Sequence, residues 1–95
     1  MPEGDQPRRR ATALHYTPGD VAPTVTATGA GLLAERIIAA AREAGVPVRE
    51  DPELVEALSA LNLGAHVPEA LFRAVAETLA WAYKLDAGAA RPPGP

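Results

Sequence analysis

The chain has 95 residues, a formal net charge of −3, 47% hydrophobic but only 4% aromatic residues, and no cysteine. This length suits a single domain, and a core made largely of alanine implies closely packed elements of modest stability. The composition excludes disulfide and thiolate chemistry and a field suited to nucleic acid. No apolar run approaches the ~18 residues that a membrane-spanning helix needs.

Residues 1–9 are polar, hold two prolines and a glycine, and are expected to form a mobile leader without signal-peptide design. Residues 11–16 alternate as a strand does, with Thr12, Leu14 and Tyr16 on one face. Thr17-Pro18-Gly19-Asp20 carries turn chemistry. Residues 24–28 form a second, β-branched strand with Val25 and Ala27 toward the core, broken by Gly29-Ala30-Gly31. A helix follows over residues 31–44, with Leu33, Ile37, Ala40, Ala41 and Ala44 as its buried stripe. Gly45 stops it and Pro47 forbids its continuation. Residues 46–49 are predicted as a third strand, reached by a right-handed crossover that makes it parallel, with Pro47 favouring an edge.

Asp51 is the expected N-cap of a second helix opened by Pro52. Its apolar face is Leu54, Leu58 and Leu61, and it ends near Asn62 with Gly64 as a left-handed cap. Pro68 and Glu69 open the last helix, which runs to about Leu85. Leu71, Phe72, Val75, Ala76, Leu79, Ala82 and Tyr83 give it a broad buried side. Residues 87–95 are expected to be a disordered Pro-rich tail. The predicted fold is thus α/β (α+β), a small mixed sheet of about three strands packed with three helices over residues 10–86.

Few side chains suggest chemistry. His15 and His66 are isolated and lack metal-ligand spacing, so no metal is expected. Glu50, Asp51 and Glu53 cluster, but helix-start capping accounts for Asp51 and Glu53 without any reaction. Gly29 and Gly31 precede a helix in the manner of an anion site, yet a third glycine and a well-spaced downstream acid are missing. No cofactor is expected, and a small ligand- or nucleotide-responsive regulatory domain stands as the alternative reading. Arg8-Arg9-Arg10 reads as the solvated end of a leader or as a contact for an acidic partner. Trp81 lies off the centre of the last helix's stripe, where it closes the core edge or anchors a partner.

Several blocks in order carry a resemblance. They are Ala13-Leu14-His15-Tyr16, Ala22-Pro23, the run from Gly29 to Ile37, Gly45-Val46-Pro47-Val48-Arg49-Glu50-Asp51-Pro52-Glu53-Leu54 with Ala57-Leu58, residues 67–77, and Leu79-Ala80-Trp81-Ala82-Tyr83-Lys84-Leu85. At this spacing, without a gap, residues 11–85 resemble the cytoplasmic domain of the type III secretion export-apparatus switch family, which includes FlhB, YscU, EscU and SpaS. The resemblance implies a cytoplasmic, non-enzymatic interaction role in flagellar or type III export, peripheral to the inner-membrane gate. Implied partners are export-apparatus proteins: the membrane-anchored half of a full-length or truncated family member, and export substrates or chaperones. Neither nucleic acid nor direct membrane insertion is implied.

Two departures stand out. Family members carry membrane helices and an opening strand before this domain, and neither is visible in residues 1–9. The family also cuts itself between Asn and Pro of an Asn-Pro-Thr-His loop, which falls here on Gln6, Pro7, Arg8 and Arg9. The asparagine nitrogen attacks its own backbone carbonyl to close a five-membered succinimide. Glutamine would need a six-membered ring, which closes less readily, and arginine cannot carry a proton as histidine can. The chain is therefore expected not to cleave itself, and to correspond to the family's C-terminal fragment encoded alone.

Overall fold

A computed structural model of the chain describes residues 9–90. Strands β1 (Arg10–His15) and β2 (Thr24–Ala30) lead into helix α1 (Leu32–Glu43), then α2 (Pro52–Leu58), a 3-10 turn (Glu69–Leu71) and α3 (Phe72–Ala90). The α+β class and the three helices match expectation. The sheet does not: among the described residues it has two antiparallel strands, not three.

The strands are joined by a turn in which Asp20 N–H donates to the Thr17 carbonyl and the Asp20 carboxylate accepts from Thr17 N–H, each at 2.9 Å. Gly19 takes φ 102 there, as the third residue of a Pro-Gly turn must. Pairing sets Ala13 opposite Ala27 but Leu14 opposite Val25, so Thr26 is an extra, bulged residue. Its hydroxyl donates to the Ala13 carbonyl at 3.3 Å. The bulge brings Val25 to Leu14's side of the sheet, and Val25 is only 1% exposed. Val25 is thus in the core as expected; simple alternation missed the bulge, and it also missed Ala11 as the buried residue of β1. Gly29 and Ala30 continue β2 instead of breaking it; the break comes at Gly31, with φ 64.

Helix α1 closes in a Schellman motif, with Val46 N–H donating to Ala41 at 2.8 Å and Gly45 N–H to Arg42 at 3.1 Å. Its buried face is centred on Ala34, not on the expected stripe. Leu33 is 52% exposed, Ala40 and Ala44 are exposed, and Ile37 and Ala41 are half-buried. The sheet offers small residues (Ala11, Ala13, Ala27, Gly29), so the helix approaches through an alanine. Leu33 instead lies over Gly29, where a Cβ would sit 2.5 Å from its Cγ.

The predicted third strand and its parallel crossover do not form. Val46 N–H is engaged in the α1 cap and Pro47 has no N–H, so two successive ladder donors are missing from residues 46–49.

Asp51 caps α2 as expected, accepting from Leu54 N–H at 3.1 Å with Pro52 at the first helical position. The helix stops at Leu58, earlier than Asn62. Gly64 (φ 85) serves the next turn instead: its N–H donates to Val25 at 2.8 Å, and Val25 N–H to Ala65 at 2.9 Å. That loop covers the start of the outer edge of β2.

On α3, Val75 joins Leu54, Leu58 and Val67 in one cluster, with Leu14, Leu61, Leu71, Ala74 and Leu79 packed around it. Phe72, Ala76 and Tyr83, expected on the buried side, are exposed, because the contact face is rotated toward Ala74 and Thr78. The helix continues to Ala90, into the expected tail. Alanines favour helix, and no proline intervenes before Pro92. The rest of that tail and most of the expected leader (residues 1–8) lie outside the described residues.

Helix α1 packs on both strands and α2 on β1. Even so, the buried hydrophobic side chains among the described residues number only eight, three of them alanine. The core is thin.

Candidate docking groove

The reason is visible beside β1. Gly31 N–H donates to the Arg9 carbonyl at 2.7 Å, which makes Arg9 and Gly31 a hydrogen-bonded pair. Antiparallel alternation then directs the backbone groups of Ala11 and Ala13 at β2, and those of Arg10 and Thr12 away from it. Among the described residues no strand answers this second edge. It borders instead a groove of about 690 Å³ that residues 46–49, the segment predicted as a strand, also line. Ile37, Ile38 and Ala41 of α1 line it, as do Leu54 and Val55 of α2 and Leu79 of α3. Apart from Leu54, these side chains are half-buried.

Two candidates singled out for different reasons, the arginine run and Trp81, meet here. Arg9, Arg10 and Trp81 all line the groove. Arg10 Nη1 donates to Ser59 Oγ at 3.3 Å. Trp81 is half-buried, with the Arg49 guanidinium 6.0 Å from its ring centroid, and Arg49 Nη1 donates to Thr78 Oγ1 at 3.3 Å. Sequence reading missed Arg49, because its partners lie a long way on in the chain and an arginine beside a helix start reads as solvated. Gln6, Pro7 and Arg8 lie outside the described residues.

The other candidates do not converge. His15 is exposed, its Nε2 3.2 Å from Thr17 Oγ1, and His66 is exposed in an isolated bridge opposite Thr24. No group of three or more His, Asp or Glu side chains among the described residues is arranged to hold a metal. Gly29 and Gly31 have local explanations: Leu33 occupies the space over the first, and the second takes a left-handed φ with its N–H bonded to Arg9.

These features define a small α+β domain in which, among the described residues, the two-stranded sheet is open along one edge. The crystal structure of the PscU C-terminal domain shares this fold, with a TM-score of 0.74 and 34% identity over 79% of this chain and 98% of that one. Residues 6–82 match the family described as the FlhB HrpN YscU SpaS family, and the chain belongs to it. YlqH of Bacillus subtilis (strain 168) is 49% identical over 81 residues, which are 84% of this chain and 87% of YlqH. The flagellar biosynthetic protein FlhB of Salmonella typhimurium (strain LT2) is 42% identical over 95 residues, covering 94% of this chain but 25% of FlhB. The chain thus spans most of YlqH and about a quarter of FlhB. Family membership ties it to type III secretion and flagellar protein export.

Proposed function

We propose that the chain is a non-catalytic docking domain of the flagellar or type III export apparatus. It accepts an extended strand from the membrane-anchored half of a switch protein along the free edge of β1, and so completes that protein's cytoplasmic sheet. Strand addition supplies affinity through main-chain hydrogen bonds and specificity through alternate side chains. One observation carries this reading: among the described residues the edge at Arg10 and Thr12 is unanswered, and it shares a largely apolar groove with residues 46–49, in a domain with a thin core. Export substrates or chaperones would meet the completed domain. Recruitment to the membrane goes through the partner, since no helix among the described residues is long and apolar enough to cross a bilayer.

Titration calorimetry against the detergent-solubilised membrane-anchored half is expected to show one-to-one binding with a negative heat-capacity change from apolar burial. No detectable binding at micromolar concentrations would overturn the docking role. The chain is also expected to stay whole, since Gln6-Pro7-Arg8-Arg9 lacks the asparagine and histidine of the self-cutting loop. Intact-mass measurement after prolonged incubation should return a single full-length species; a fragment beginning at Pro7 would refute the point.

A further inference from the structure

We infer that the groove selects an acidic strand: an extended, alternately apolar segment of a partner polypeptide whose Asp or Glu side chain pairs with Arg49 on its Trp81 shelf. This rests on the docking role above and adds the chemistry of what docks.

The chain carries a net charge of −3, yet four arginines, Arg9, Arg10, Arg42 and Arg49, line this one groove. The side-chain bonds of Arg10 and Arg49 go to the hydroxyls of Ser59 and Thr78, not to carboxylates. Of the nearby acids, Asp51 is engaged as the cap of α2. Glu50 and Glu56 also reach the groove and are exposed, without bonding either guanidinium.

Arg49 is the better organised of the two cations. Its guanidinium carbon sits over the Trp81 ring at 6.0 Å from the centroid, and its Nη1 donates to Thr78 Oγ1 at 3.3 Å. A guanidinium near an aromatic ring that spends one nitrogen on a hydroxyl keeps further N–H donors for a planar, bidentate carboxylate. An incoming strand bonded to β1 would run past it, so a carboxylate at that level completes a pair the domain leaves open. A lysine there would meet like charge.

Trp81 is the single tryptophan of the chain, so its emission reports occupancy of the groove directly. The probes are three short blocked peptides of alternating valine and threonine that differ only in a central Asp, Asn or Lys. The Asp peptide is expected to shift Trp81 emission and to bind about three- to fivefold more tightly than the Asn peptide. It should bind about tenfold more tightly than the Lys peptide. The Asp preference should shrink with added salt and vanish in Arg49→Gln. The salt series on the wild-type chain serves if that variant does not fold. Equal binding of all three peptides, with the emission shift, would leave docking intact and sink the charge selection. No shift with any of them would sink docking and the selection together. A dimer in sedimentation that the Asp peptide fails to dissociate, or an emission change on deleting residues 1–8 that no peptide reverses, would assign the groove to a second copy or to the chain's own leader and overturn the inference.

Discussion

Replacing Leu58 with alanine is expected to remove about 2–5 kcal/mol of folding stability, the usual range for a buried leucine in a core that cannot collapse around the gap. Leu58 is 4% exposed and shares its cluster with Leu54, Val67 and Val75. Few other buried side chains are present to compensate, and domains of this size total roughly 5–15 kcal/mol. The loss should therefore be visible as a large drop in urea midpoint, with an unchanged slope if the native fold is kept. Leu33→Ala supplies the contrast. Leu33 is 52% exposed, so its loss should cost well under about 1 kcal/mol, although the sequence stripe ranked it with the core. Equal losses at the two positions would mean that α1 does not present Ala34 to the sheet. A bound partner should return part of the Leu58→Ala deficit, about 2.7 kcal/mol at a hundredfold excess over Kd.

Thr12→Pro is expected to abolish strand docking while leaving the two-stranded sheet folded. The pairing of Arg9 with Gly31 directs the Thr12 amide away from β2, so a proline there removes no bond of the β1–β2 ladder. Prolines are tolerated on edge strands for this reason. An incoming strand, however, loses a donor and meets the pyrrolidine ring. Affinity for the membrane-anchored half should fall at least about tenfold, the loss expected for a hydrogen bond left unmade in a closing groove. The contact between the Thr12 and Thr28 hydroxyls at 3.5 Å is also lost, a minor term. The control is Ala13→Pro, whose amide is directed at β2; it should damage the sheet itself and lower the circular-dichroism melting temperature. If Thr12→Pro binds as well as the wild-type chain, the open edge of β1 is not where the partner docks.

The sequence declared those parts of the fold whose chemistry is local. Asp51-Pro52 opened a helix, Gly45 closed one, and Pro18-Gly19 made the turn, because each needs only its immediate neighbours. The faces were harder to read. In α1 the contrast between leucine and alanine misleads, since a sheet of alanine, threonine and glycine admits a helix only through a small residue. The bulge at Thr26 carries no signature of its own, yet it decides where Val25 points. Val46-Pro47-Val48 has strand composition, but the cap of α1 takes the Val46 amide and Pro47 has none, which keeps it out of the ladder. Of the groove, Arg9, Arg10 and Trp81 could be picked out singly, but their convergence depends on tertiary placement, and Arg49 was silent until α3 lay beside it.

The cap on α1 has a further effect on whatever enters the groove. With one amide occupied and the next replaced by a ring, the first half of the wall at residues 46–49 offers only carbonyl oxygens. A guest chain there is held asymmetrically: β1 can both give and receive, while Val46 and Pro47 can only receive. The guest must therefore keep its own amide hydrogens at that level. A proline or N-methylated residue in that stretch of the guest would cover those oxygens without offering a donor, so the groove screens its visitors by backbone as well as by side chain.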